Sequence, residues 1–225
     1  MQFDTLIIGA GAAGLMCATQ AQGRILVIDH AKAPGEKIRI SGGGRCNFTN
    51  RLIDASAPHK HFLSENPHFC RSALSRYTAQ DFIDLMRSYN IPFHEKHKGQ
   101  LFCDRSAEDL IQMLLQECDK GGVKRLHGCA VQAIATEGAG FKVQTAQGEV
   151  QAGSVVIATG GLSIPQIGAS DFGYRIAEQF GLRLVARRPG LVPLTFDGAE
   201  WAPYANLAGL SLPVSIETGA KKSRM

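Results

Sequence analysis

Three glycines set the first chemistry open to this sequence. Gly9, Gly11 and Gly14 stand at the spacing G-x-G-x-x-G, directly after the apolar run Leu6-Ile7-Ile8 and directly before Leu15-Met16. The first glycine of such a set permits a sharp turn. The second lets backbone approach a pyrophosphate with no Cβ in the way, and the third lets a helix pack closely on a strand. The helix that follows offers unpaired N–H groups and the positive end of its dipole to an anion. Asp29 closes the next apolar run, Ile25-Leu26-Val27-Ile28. It lies about 20 residues beyond the first glycine, where an acid accepts hydrogen bonds from ribose hydroxyls. Strand, turn, helix and acid in register predict a dinucleotide site, with Ala12 and Ala13 in its turn and His30 beside its acid. A glycine-rich helix–strand contact without ligand is the plainer alternative.

A second stretch, from Pro34 to Asn50, contains Gly35, Lys37, Ser41, three successive glycines at Gly42, Gly43 and Gly44, then Arg45, Cys46 and Asn47. Three glycines in a row are costly to order, because each loses more backbone freedom than any other residue. Their flanking residues point to backbone lying against a flat or phosphorylated ligand. A flexible surface loop is the alternative, although Arg-Cys-Asn is not linker composition. Arg45 offers a bidentate guanidinium to a phosphate. Cys46 is a candidate redox thiol, since a neighbouring cation lowers a thiol pKa. With no second cysteine at C-x-x-C spacing, a small packing residue is the plainer reading.

These residues carry a specific resemblance. Gly35-x-Lys37 and Ser41-Gly-Gly-Gly-Arg-Cys-Asn47-x-Thr49-Asn50 resemble the signature of the BaiN/YhiN-type bacterial flavoproteins, FAD-dependent oxidoreductases of which one branch reduces 3-dehydro-bile acids. The resemblance extends over nearly the whole chain, which matches the first half of a family-length protein. It implies FAD, a two-dinucleotide-binding type of fold, and a β-rich domain inserted into the FAD domain. It also implies that an Ala-Thr-Gly-Gly segment, here Ala158-Thr159-Gly160-Gly161, lies against the dinucleotide, and that Val131 touches the adenine through its backbone. Two positions depart from the family: Asp29 replaces a usual Glu, shortening the reach to ribose by one methylene, and Glu36 replaces an Arg.

The elements that must position these residues read as α/β. Residues 3–29 form β-α-β, with Gly23 as a natural helix C-cap. Residues 54–77 alternate between helical and irregular character. Thr78-x-x-Asp81 and Ser106-x-x-Asp109 open two amphipathic helices. Gly99 to Cys103 reads as a short strand. From Val123 the period changes to two, giving an antiparallel meander through Val131–Ile134, Phe141–Thr145 and Val150. Val155–Ala158 reads as a separate central parallel strand, and Ser170–Tyr174 opens a further helix. The expected layout is a Rossmann-like FAD-binding domain over 1–194 and the start of an inserted β-rich domain over 195–225. Val214–Glu217 alternates as a strand of that domain. The resemblance implies that a later segment returns to complete the FAD domain, so the chain is expected to be truncated or to work with a separate second half.

The 225 residues are 44% hydrophobic and 20% charged, ample for a sizeable core. A net charge of +4 suits an anionic cofactor without arguing for nucleic acid, and the charges read as scattered. Residues 5–23 carry no charge, but Asp4 precedes them and no basic region does, so neither a signal peptide nor a membrane span is expected. Six cysteines without paired spacing suit a reducing cytoplasm. His59-Lys60-His61 reads as a solvated loop, and no metal is expected.

The leading expectation is an FAD-dependent oxidoreductase that passes a hydride from NADH or NADPH to an unsaturated or carbonyl-containing small molecule. Two other readings stay open: a flavin-dependent RNA-modifying protein, and a truncated remnant without catalysis. A plain NAD-binding domain gives no account of Ser41–Asn50.

Overall fold

The computed structural model describes residues 1–190, 195, 197–207, 210 and 215. It divides into one unit from Met1 to Ala186 and a second from Arg187 to Met225. The second contains a short helix, Gly198–Trp201, capped by the Asp197 carboxylate, which accepts from the Ala199 N–H at 2.9 Å. Most of the expected strand Val214–Glu217 lies outside the described residues.

The first unit opens with β1 (Gln2–Ile8), α1 (Ala12–Gln20) and β2 (Ile25–Ile28). Strands β1 and β2 are apolar because they are central, and β2 is buried along its whole length. Helix α1 ends at Gln20 with Ala21 as its cap, so Gly23 is not a C-cap. Gly23 instead has φ +92 and forms the turn into β2, where the Asp4 carboxylate accepts from the Arg24 N–H at 2.7 Å. The chain continues with β3 (Asn47–Asn50), β4 (Phe93–Glu95) and β5 (Gln100–Cys103), which form a separate three-stranded antiparallel sheet in the order β3-β5-β4. The signature stretch thus ends in a strand.

Between these strands lie α2 (Glu36–Ile40), α3 (Arg71–Arg76) and α4 (Ala79–Ser88). The capping box at Thr78 is complete: its hydroxyl accepts from the Asp81 N–H at 3.2 Å, and the Asp81 carboxylate accepts from the Thr78 N–H at 2.7 Å. Helix α5 (Ala107–Lys120) starts at Ser106, whose hydroxyl accepts from the Glu108 N–H at 3.1 Å. Its buried face, Leu110, Ile111, Met113, Leu114 and Cys118, joins Leu15 and Ala18 of α1 in the larger core.

The main sheet is completed by β6 (Lys124–Leu126), β7 (Val131–Glu137), β8 (Gly140–Thr145) and β9 (Gly148–Ile157), in the order β6-β2-β1-β9-β8-β7. The expected meander is present. The expected central parallel strand is present too, as the second half of β9, which runs on without a break from the meander: β9 is antiparallel to β8 and parallel to β1, with Gln2 opposite Gln151 and Ile8 opposite Ile157. Gly153 in its middle removes the side chain that would crowd the Asp4 carbonyl. After β9 the chain forms α6 (Phe172–Gln179). Among the described residues no helix is long and apolar enough to cross a membrane.

Candidate functional site

The carboxyl ends of β1, β2 and β9 and the N-terminus of α1 meet at a cleft of about 1000 Å³. Its geometry begins at the glycine turn. The Gly9 N–H donates to the Ile28 carbonyl and the Ala158 N–H to the Ile8 carbonyl, each at 2.8 Å, so the turn is tied to both neighbouring strands. Gly9 has φ +113, and a Cβ there would overlap the Ala158 carbonyl oxygen. A Cβ on Gly14 would overlap the Gly9 carbonyl oxygen, so the third glycine is demanded by packing beneath the turn. At Gly11 a Cβ would meet nothing within 4 Å. That position faces open cleft, as a backbone cradle for a diphosphate requires.

Asp29 stands at the end of β2 in the cleft lining and also holds backbone. Its carboxylate accepts from the Ala10 N–H at 2.5 Å and from the Ala31 N–H at 2.8 Å, and the His30 ring nitrogen lies 3.3 Å from it. The shorter side chain therefore latches the glycine turn to the end of β2. It still lines the cleft with His30, and the oxygen that accepts from Ala10 keeps a second lone pair for a ribose hydroxyl. The Ala10 carbonyl in turn accepts from the Gly35 N–H at 2.9 Å, which joins the second stretch to the first.

That second stretch divides. Lys37, Ser41, Cys46 and Asn47 line the cleft; Gly42, Gly43, Gly44 and Arg45 do not. The three glycines all have positive φ, at 57, 68 and 85, and turn the chain from α2 into β3. A side chain on Gly42 would meet the Phe102 ring at 2.8 Å. The glycine run is thus a tight connection that delivers Cys46 and Asn47 to the cleft. Oriented to donate, the Asn47 amide reaches the carbonyls of Thr49 at 3.2 Å and Leu101 at 3.3 Å. Lys37 crosses to the loop after β9, its Nζ 3.1 Å from the Ser163 hydroxyl. Val131, Thr159 and Gly160 line the cleft as well, Gly161 does not, and Gly14 lies below it. Ile167 to Ser170 close one side, with Gly168 against the His30 ring.

Cys46 is buried, and burial pushes its thiol up from the ordinary value; Cys103 is pushed up to about 12 for the same reason, with the Cys46 charge contributing. Neither is the low-pKa thiolate that redox exchange needs. Among the described residues no group of three or more His, Cys, Asp or Glu is arranged to hold a metal.

Sequence reasoning missed the far end of the cleft. Phe48, Thr49, Ile53, Leu74, Tyr77, Thr78, Ala79 and Phe82 line it. Phe48 and Tyr77 pack on Phe82 with ring centroids 6.0 and 6.5 Å apart. The only signal in the sequence was the capping box beside an aromatic residue, which fixes a helix start and says nothing of a cavity.

Just after β6, the His127 Nδ1 is buried without a hydrogen-bond partner among the described residues. Burial holds the imidazole below its ordinary pKa, against the opposing pull of Asp29. The unfolded chain therefore binds more protons than the folded one as the pH passes below the unfolded value. The corresponding stability is present above that value and lost as pH falls through the folded pKa. Urea midpoints should fall between about pH 7.5 and 5.5, and His127→Gln should flatten that fall.

A mainly parallel sheet, with a glycine turn and a helix N-terminus at its carboxyl end opening on a cleft, defines a domain of Rossmann type. The chain belongs to the family described as HI0933-like protein Rossmann domain, whose model matches residues 3–198. It is 49% identical over 223 residues to the ribosomal RNA dihydrouridine synthase of Escherichia coli (strain K12), covering 97% of this chain and 55% of that protein. It is 29% identical over 217 residues to the 3-dehydro-bile acid delta(4,6)-reductase of Clostridium scindens (strain ATCC 35704 / DSM 5676 / VPI 13733 / 19), covering 93% of this chain and 51% of that protein. The chain thus spans about half the length of the curated relatives it matches. Among solved structures, the open conformation of a flavocytochrome c3 fumarate reductase superposes with a TM-score of 0.52 at 17% identity, over 79% of this chain and 40% of that one.

Proposed function

We propose that this chain is the FAD-holding part of a flavin-dependent reductase that saturates a carbon–carbon double bond in a uracil ring of ribosomal RNA. The cleft carries the reading: Gly11 is open where a diphosphate must approach, the α1 N-terminus faces the same space, and the lining continues without interruption into an aromatic end. Gly9, Gly11, Ala12 and Ala13 would hold the pyrophosphate through backbone, and Asp29 and His30 the ribose. Val131 would meet the adenine. Lys37, Ser41, Cys46, Asn47, Thr159 and Gly160 would border the flavin half. When bound, FAD reduced by NADH or NADPH supplies a hydride that, with one proton, saturates the bond.

The expectation of a small-molecule substrate without nucleic acid gives way to RNA here. The support is the difference between relatives: 49% identity to the protein named for ribosomal RNA against 29% to the bile-acid reductase. Both substrates present a double bond in conjugation with a carbonyl, so one hydride-transfer site serves either. Phe48, Leu74 and Phe82 give that site an apolar lining, and burial keeps the Cys46 thiol protonated.

The experiment is an absorption spectrum from about 300 to 600 nm before and after addition of FAD and gel filtration, followed by incubation with unmodified ribosomal RNA and NADH or NADPH. Retained flavin bands and a nucleoside gaining two hydrogens are expected. A chain that retains flavin and reduces a steroid enone but leaves RNA unchanged would overturn the substrate class.

A further inference from the structure

We infer that residues 51–77 form an RNA-gripping lip on the cleft, with the aromatic end of the cleft as the seat for an unstacked base. The inference rests on the reading of an RNA substrate and assigns it a place.

The segment has an unusual surface. Leu52, Phe62, Leu63 and Phe69 are exposed at 58, 42, 82 and 79%. Isolated apolar side chains on a surface need no explanation, but four in one short segment do. Interleaved with them are Lys60, Arg71 and Arg76, all exposed, and none takes part in a salt bridge among the described residues. The His59 and His68 rings meet edge to face at 6.4 Å and hold the two arms of the segment together. Lys98 adds a further exposed cation, since its carbonyl accepts from the Asn50 amide at 2.9 Å at the root of the segment.

Helix α3 connects this surface to the cleft. Leu74 and Tyr77, at its end, line the cavity, while Arg71 and Arg76 on the same helix are exposed. One element therefore presents apolar and aromatic groups to the cavity and cations to the outside. That arrangement suits single-stranded RNA, whose bases splay out to stack on aromatic rings while the phosphates meet lysine and arginine. An enzyme acting on a ring carbon must take the base out of its stack, and Phe48, Tyr77 and Phe82 offer it an apolar slot in exchange. Burial raises the Tyr77 phenol pKa, so its hydroxyl stays protonated beside that slot.

The test compares the chain with a Lys60→Glu, Arg71→Glu, Arg76→Glu variant and with a Phe62→Ser, Phe69→Ser variant. The probe is fluorescently labelled, unmodified ribosomal RNA, titrated at several salt concentrations with duplex DNA as competitor. FAD retention and sedimentation are followed in parallel. The charge-reversal variant should keep flavin, bind RNA at least about tenfold more weakly, and show a log K against log salt slope shallower by about 2. The phenylalanine variant should lose affinity with the slope unchanged. Wild-type binding that neither variant alters would overturn the lip and leave the RNA reading standing. A shift in sedimentation with RNA affinity unchanged would make the segment a protein–protein interface and also overturn it. No preference for RNA in the wild-type chain would remove both.

Discussion

Gly14→Ala should cost the fold about 3 kcal/mol and lower the unfolding midpoint of the flavin-free chain by roughly 10 °C. The added methyl would overlap the carbonyl oxygen of Gly9 and stand 3.3 Å from the Ala158 side chain, and Gly9 cannot retreat because its own Cβ position is filled by Ala158 backbone. Helix α1 must then lift from the sheet. Gly11→Ala should behave in the opposite way. Gly11 has φ −86 and ψ −169, which alanine adopts freely, and its methyl meets nothing within 4 Å. The flavin-free chain should keep its midpoint within about 0.5 kcal/mol, while FAD affinity falls at least tenfold because the methyl occupies the diphosphate's approach. Thermal unfolding without FAD and an FAD titration separate the two. Equal FAD affinity in Gly11→Ala and wild type would remove the diphosphate cradle from this turn.

The second large effect belongs to Asp29. An acid that served ribose alone would leave the flavin-free chain untouched when replaced. Asp29 accepts from two backbone N–H groups, one of them on Ala10, which is fully buried. Asp29→Ala should therefore destabilise the flavin-free chain by about 2–3 kcal/mol, the cost of leaving one buried and one half-buried donor without their charged acceptor. Asp29→Asn, which can keep one acceptor, should lose about half of that. FAD affinity should fall in both. Urea unfolding of the flavin-free variants is the decisive measurement, and a midpoint unchanged in Asp29→Ala would return the residue to a purely ligand-facing role.

These expectations show which features the sequence could express. The turn at Gly9, Gly11 and Gly14 was legible because its geometry is local, fixed by backbone conformation and one close approach. Thr78 and Ser106 were legible as helix starts for the same reason. The role of Asp29 was half legible: its register was plain, but whether one methylene fewer leaves it reaching ribose or backbone depends on where Ala10 sits. Gly42, Gly43 and Gly44 look like a ligand cradle in sequence and act as a tight connection, because only the fold reveals the Phe102 ring beside them. The aromatic end of the cleft was not legible at all. Phe48, Tyr77 and Phe82 come from β3, the end of α3 and α4, and no local pattern says that three such elements share a cavity. The parallel strand at Val155–Ile157 was legible from its apolar run, but not its continuity with Gly148–Val150, because no local pattern says that one strand pairs antiparallel on one side and parallel on the other.

That long strand bears on how the chain is made. Strand β1 lies between β2 and β9, with Gln2 opposite Gln151. At about 5–20 residues per second, a ribosome needs roughly 8–30 seconds to deliver the second neighbour of the first strand. Until then one edge of an apolar strand, Leu6-Ile7-Ile8 included, stands open to any passing chain. The same β9 also templates β8, so the parallel and antiparallel halves of the sheet close in one late event. During synthesis, β1 therefore keeps one unpaired edge until residues 148–157 have been delivered.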